Sequence, residues 1–238
     1  MRLSSVYFDC DSTLTSIEGI DELVADAEPT LRARIATLTE RAMAGEVQLG
    51  DVYGERLRLL APRRDQLGRI GELYVQRVVP DARAVVQALQ HVGKRVGIVS
   101  GGLHEPVLHL ARHLGIADAD VHAVRLLFTP DGAYADFDRT VPLWRNGGKV
   151  DVLRALPASH HPLAFVGDGI TDAETRGHVA LFVGFGGVVS RGRVRELADV
   201  FVATPSLAPV LPHLLTADER RTLGKAPHLA ALLSRPPA

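Results

Sequence analysis

The sequence predicts an α/β protein: a doubly wound parallel sheet with a small helical segment inserted after the first strand. Three observations carry this. Near-continuous apolar runs recur at residues 6–8, 95–100, 163–166 and 180–183, the pattern of strands covered on both faces. Segments with apolar residues at helical spacing lie between them. That alternation is suspended from about residue 18 to residue 79, a stretch rich in Leu, Ala, Arg and Glu.

Each element has a local reason. Residues 3–10 read as the first strand. Ile20, Leu23, Val24 and Ala27 then fall at helical spacing, and Pro29 and Pro62 punctuate the helical stretch. Pro80-Asp81 is a helix start signal, followed by the stripe Val85, Leu89 and Val92 ending at Gly93. Residues 95–100 are the next core strand. A helix over 104–114 carries Val107, Leu110, Ala111 and Leu114 on one face, with Gly115 behind it. Residues 121–128 and 133–138 flank Pro130-Asp131-Gly132, a hairpin signal. A short helix is expected at 149–156 and further strands at 163–166, 180–183 and 200–203. Thr216 and Glu219 have the spacing of a capping box. The expected organisation is a core of residues 1–16 and 80–215, a helical cap of 17–79, and a helical tail of 216–238 with a frayed end.

Bulk properties narrow the function. The chain has 238 residues, 46% of them hydrophobic and 23% charged, with a net charge of −1. No global field draws it to nucleic acid or a membrane surface. Cys10 is the sole cysteine, which excludes an intrachain disulfide. It reads as a small buried hydrophobe. No apolar run approaches the ~20 residues of a membrane span, and residues 1–5 lead straight into the strand without a signal-like segment. A soluble, cytoplasmic protein, monomer or homodimer, is expected.

The chemistry is carried by four segments. Phe8-Asp9-Cys10-Asp11-Ser12-Thr13 places two carboxylates two residues apart at a strand end, on one face of extended chain. One could attack while the other manages a proton. Ser100-Gly101-Gly102 ends a second strand, Gly147-Gly148-Lys149 opens a helix, and Gly167-Asp168-Gly169-Ile170-Thr171-Asp172 follows a third strand. In an open parallel sheet these lie at one edge, where ligands bind. They suit phosphoryl transfer through an enzyme carboxylate. Asp9 and Asp168 are hard ligands for Mg²⁺, with the backbone carbonyl of Asp11 completing the protein's share. Asp172 supports the site through water or Lys149. Lys149, the Ser100 hydroxyl and the Gly101 amide can bind equatorial phosphate oxygens.

These motifs resemble those of the haloacid dehalogenase-like phosphatases, and within them the phosphoserine phosphatase family. Glu18-Gly19-Ile20-Asp21-Glu22-Leu23, Arg41-Ala42-Met43 with Gly45, and Gly132-x-Tyr134-Ala135-x-Phe137-Asp138 are similar to that family's segments. So is Val183-Gly184-Phe185-Gly186-Gly187. The resemblance covers most of residues 3–205. It implies that Asp9 is the nucleophile and that Asp11 is general acid, then general base. It implies that Glu18 pairs with a substrate ammonium, Arg56 grips its carboxylate and Met43 lines the pocket. Thr171 and Arg191 match ligand-contacting positions. The implied substrate is O-phosphoserine, cleaved with Mg²⁺ in the last step of serine biosynthesis. Phosphoethanolamine, phosphohomoserine or a sugar phosphate are alternatives, as are a phosphotransferase and a non-enzymatic phospho-acceptor. Ala44, Leu49 and Ile17 depart from the family pattern, and the span from Lys149 to Asp168 is slightly short. Ala44 and Leu49 lie where substrate choice is made.

Other features read as structural. His109 and His113 lack an acidic third ligand. Gly184-x-Gly186-Gly187 would need its third glycine at Val189, so the dinucleotide fingerprint fails. Arg56, Arg58, Arg63, Arg64 and Arg69 form a solvated basic face, and Trp144 reads as packing.

Overall fold

A computed structural model describes residues 1–43 and 49–234, with the side chains of 39–43, 49 and 234 left out. In chain order the elements begin with β1 (Ser5–Phe8), α1 (Gly19–Ala25), α2 (Pro29–Met43), α3 (Leu49–Leu60), α4 (Arg64–Gln76) and α5 (Ala82–His91). Next come β2 (Arg95–Leu103), α6 (His104–Leu114), β3 (Val121–Val124), β4 (Leu126–Phe128), β5 (Tyr134–Phe137) and α7 (Gly148–Ala155). The chain closes with β6 (Leu163–Gly167), α8 (Ile170–Ala173), β7 (Leu181–Phe185), α9 (Gly192–Leu197), β8 (Val200–Val202), α10 (Leu211–Leu214), α11 (Ala217–Leu223) and α12 (Pro227–Ala230).

The main sheet has six strands in the order β3-β2-β1-β6-β7-β8, and every pair in it is parallel. The order reverses direction between β1 and β6, which creates the crevice where such sheets bind ligands. β1 and β6 are buried along their whole length. The doubly wound expectation therefore holds, and its reason is visible in Val6, Tyr7, Phe8, Phe165 and Val166, none of which reaches solvent. Gly97 on β2 leaves the space through which the Tyr7 ring passes; a Cβ there would meet Tyr7 and, at 2.7 Å, the Asp120 carbonyl.

One boundary differs from expectation. Residues 121–128 are not a single hairpin arm. Val121–Val124 joins the main sheet beside β2, and only Leu126–Phe128 pairs with β5. The division falls at Arg125. Buried Val121, Ala123 and Val124 commit the first half to the core, whereas Leu127 is 49% exposed on the second. β2 is also longer than expected, because Gly101-Gly102-Leu103 continues the strand.

Helices α1–α4 lie between β1 and α5. Leaving and returning segments meet side by side: Ser16 N–H donates to the Arg77 carbonyl at 2.9 Å and Val79 N–H to the Leu14 carbonyl at 2.9 Å. α3 rests on the hairpin and the Trp144 segment. Gly50 and Gly54 face Trp144 and Phe137 respectively, and Tyr53 meets Phe137 edge-on at 5.5 Å. α4 packs on α6, where a Cβ at Gly71 would lie 2.9 Å from His109.

The C-terminal segment is packed, with Leu223, Leu229 and Leu232 buried. The capping box expected at Thr216 forms, with Glu219 N–H donating to Thr216 Oγ1 at 3.3 Å and Thr216 N–H to Glu219 Oε2 at 2.8 Å. The expected frayed end, residues 235–238, lies outside the described residues.

Candidate active site

The site grows from the carboxyl ends of β1, β2 and β6 and the first turn of α7. Asp9 follows β1, and its N–H continues the ladder onto the Val166 carbonyl at 2.8 Å. The chain then turns sharply: Thr13, Leu14 and Thr15 all return N–H bonds to the Cys10 carbonyl. Ser12 takes a left-handed conformation at φ 53°. This turn buries Asp9 and Asp11 at 8% and 9% exposure. Cys10 is buried between them, with its thiol pushed up by burial and by the flanking acids.

Lys149 connects the far segments. Its Nζ lies 2.8 Å from Asp9 Oδ2 and also bonds Asp172 Oδ1. Burial alone would depress its pKa, but Asp172 and Asp9 outweigh that and raise it, so it stays an ammonium. Asp172 is fully buried, and its other oxygen accepts the Gly169 N–H at 2.7 Å. It therefore supports Lys149 directly, one of the two routes expected. Gly167 is required here, because a Cβ would overlap the Asp172 carboxylate.

Asp168 accepts from Thr13 Oγ1 at 3.2 Å and pairs with Arg191 Nε at 3.3 Å. Burial and then neighbouring Asp9 push its carboxyl up to about 7. Carboxylate oxygens of Asp9, Asp168 and Asp172 all lie within 4.8 Å of one another. Such buried, oxygen-only negative charge fits a hard divalent cation such as Mg²⁺. Asp9 and Asp168 are its candidate side-chain ligands. Asp172 is already engaged by Lys149, and the expected contribution of Asp11 is its backbone carbonyl.

The Asp11 carboxylate is held differently. Tyr74 Oη donates to its Oδ1 and the Gly19 N–H to its Oδ2 at 3.1 Å. Burial, then the Glu18 charge, raise its pKa well above the carboxylate range. Ser100 is buried at 1% exposure and its Oγ accepts the Gly102 N–H at 3.0 Å. Asp11 lies against the same loop: a Cβ at Gly102 would be 3.2 Å from Ser100 Oγ and 3.3 Å from Asp11 Oδ2.

The sequence matches the haloacid dehalogenase-like hydrolases over residues 4–176. It is 38% identical to the phosphoserine phosphatase of Rattus norvegicus over 200 residues, covering 83% of this chain and 88% of that protein. Identity to the phosphoserine phosphatase of Homo sapiens is 37% over 205 residues, with the same coverage of 83% and 88%. The chain belongs to the haloacid dehalogenase-like hydrolases, in the phosphoserine phosphatase family. Its fold is similar to that of a phosphoserine phosphohydrolase-like protein from Francisella tularensis, with a TM-score of 0.77 at 22% identity, covering 90% of this chain and 100% of that one.

Glu18, Arg56, Thr171 and Arg191 are half-buried. Glu18 accepts from Ser12 Oγ at 2.6 Å, and its pKa is raised, chiefly by burial. Arg56 pairs with Asp21 Oδ1 at 3.2 Å, while its buried Nε has no hydrogen-bond partner among the described residues. The Gly101 carbonyl accepts from Tyr53 Oη at 3.0 Å. Arg191 is drawn to Asp168. Thr171 is half-buried, and no hydrogen bond ties its side chain to the carboxylates among the described residues. The side chain of Met43 lies outside the described residues, as do Ala44 and the side chain of Leu49. Sequence reasoning missed Tyr74, Tyr53, and the tethering roles of Ser12 and Thr13. The two tyrosines belong to no local motif; their partners are 63 and 48 residues away. Ser12 and Thr13 stood inside the first motif, where two hydroxyls directly after Asp11 were the available signal.

Among the described residues, no helix is long and apolar enough to cross a membrane.

Proposed function

We propose that this protein is a Mg²⁺-dependent phosphomonoesterase that hydrolyses O-phosphoserine to serine and phosphate, acting in the cytoplasm as the last step of serine biosynthesis. The observation that carries the reaction is the unequal treatment of the two acids. Asp9 is paired with a buried ammonium, whereas Asp11 is raised and held by two neutral donors. Environments that separate two carboxylates in this way assign them different roles.

In the first half-reaction an Asp9 carboxylate oxygen attacks phosphorus. The bond from phosphorus to the serine oxygen breaks, and the Asp11 proton passes to that oxygen. This leaves serine and an aspartyl-phosphate. In the second, water attacks phosphorus and gives its proton to Asp11. The bond to Asp9 breaks, inorganic phosphate leaves, and both acids return to their starting states. Lys149, Ser100 and Gly101 hold the phosphoryl oxygens. A Mg²⁺ held by Asp9, Asp168 and the Asp11 carbonyl would neutralise phosphate charge beside an anionic nucleophile. Monoester hydrolysis requires accelerations up to ~10²¹, so concerted groups are needed.

Helices α1–α4 act as the cap, with Glu18 for the substrate ammonium and Arg56 for its carboxylate. The buried Nε of Arg56, without a partner among the described residues, supports this: a bidentate partner would satisfy it. Helices that enclose a small substrate and a second acid two residues after the first distinguish this reading from a phospho-acceptor domain. Phosphate release measured across O-phosphoserine, phosphoethanolamine, phosphohomoserine and sugar phosphates tests the substrate. Asp9→Asn should abolish release from all of them while leaving the fold intact. Retained turnover in that variant overturns the mechanism, and a preference for another ester overturns the substrate. Transfer to added amino alcohols in place of water would reveal a phosphotransferase.

A further inference from the structure

Asp11 is gripped from α4. Tyr74 is fully buried there, and its phenol donates to Asp11 Oδ1, while the Gly19 N–H donates to Oδ2. Two donors on different oxygens fix both the position and the plane of one carboxyl group. Each oxygen retains a further lone-pair site, so the group can still carry a proton. Gly19 also makes the approach possible, because a Cβ there would overlap the Tyr74 hydroxyl. Tyr74 has a firm base. Its carbonyl accepts from Thr15 Oγ1 at 3.3 Å, and three residues earlier Gly71 lies against His109 of α6. Glu72 Oε1 also lies 3.2 Å from His109 Nε2. The Asp11 carboxyl group is thereby pinned beside Ser100 and Gly102, where the phosphoryl oxygens are expected.

We propose that Tyr74 is a positioning residue for proton transfer: by fixing the Asp11 carboxyl group, it aims the proton at the departing alcohol oxygen. The inference rests on the roles given to Asp9 and Asp11 above. Tyr74 itself neither gains nor loses a proton and does not touch the substrate. The phosphorus–oxygen bond breaks as the Asp11 proton moves to the leaving oxygen, and Tyr74 keeps donor and acceptor in line. Misplacement of a reacting group by about 1 Å can cost ~10²-fold in rate.

Leaving-group chemistry separates this role from a structural one. Serine leaves as an alkoxide unless protonated, whereas p-nitrophenolate leaves without a proton. kcat/KM reports steps through the first cleavage. Tyr74→Phe should therefore lower kcat/KM for O-phosphoserine about 10- to 100-fold, and leave that for p-nitrophenyl phosphate nearly unchanged. Gly19→Ala, which pushes the phenol aside without removing it, should repeat the pattern. Thermal unfolding and full activity on the aryl ester verify that both variants fold. Equal losses on the two esters, or no loss on either, overturn the inference while wild-type turnover leaves the phosphatase reading intact. A wild-type protein inactive on both esters overturns both.

Discussion

Replacing Glu219 by Gln should loosen the C-terminal segment from the core. Lys94 opens toward β2, and its Nζ donates to Glu219 Oε1 at 2.8 Å and to the Leu3 carbonyl at 2.9 Å. The two side chains are 1% and 8% exposed. With an effective dielectric constant of about 20, unit charges at that 2.8 Å separation attract by roughly 6 kcal/mol. Glu219→Gln keeps an oxygen for the Thr216 N–H but leaves Lys94 buried with only a carbonyl. Breaking one side of a buried pair costs about 3–5 kcal/mol. The lower figure is expected here, since the Leu3 carbonyl remains as an acceptor for Lys94. For a chain of this size that is a fall in Tm of about 6–12 °C. Adding Lys94→Met should recover part of the loss, because no charge is then stranded. The assay is thermal and urea unfolding of wild type, both single variants and the double. Burial favours the neutral acid, but Lys94 and the Thr216 N–H outweigh it and hold Glu219 below its usual pKa. Its contribution is thus complete above the ordinary carboxylate pKa of about 4.3 and lost as pH falls through the lower folded value. The gap between wild type and Glu219→Gln should narrow in that acid range. A Gln variant as stable as wild type at neutral pH, or a double variant losing the sum of the singles, would refute the reasoning.

Three further outcomes are expected. Arg56→Ala should reduce kcat/KM for O-phosphoserine about 10- to 100-fold and spare an aryl phosphate; equal losses in steady-state assays would make Arg56 structural. Tyr53→Phe removes the 3.0 Å bond to the Gly101 carbonyl, which should cost about 1 kcal/mol in unfolding measurements and raise KM more than it lowers kcat. Chelation should abolish turnover, and Mg²⁺ at 100 times its Kd should add about 2.7 kcal/mol of stability. Asp168→Asn should lose that metal-dependent shift in Tm.

The main features of the core were legible because each has a local signature. Val6-Tyr7-Phe8 and residues 163–166 announce buried parallel strands, and Pro80-Asp81 marks the return to the core. The acids, Ser100 and Lys149 stand where strand ends and a helix start must put them, so their convergence follows from the doubly wound order. The hairpin boundary was not legible. Residues 121–128 are apolar enough for one strand, and only the choice of partner, β2 or β5, divides them at Arg125.

The sequence by itself determined the candidate site residues, since Asp9-Cys10-Asp11 and the three later motifs are contiguous short segments at ends of regular elements. Tertiary structure alone decided how the two acids differ. Asp9 meets Lys149, and Asp11 meets Tyr74 and Gly19, contacts made by packing across long stretches of chain. A tyrosine on a helix carries no mark of which carboxylate it will face. Nor does a Glu in a capping box reveal that its second oxygen neutralises Lys94. Spacing along the chain identifies groups able to act, whereas burial and partners assign what each one does.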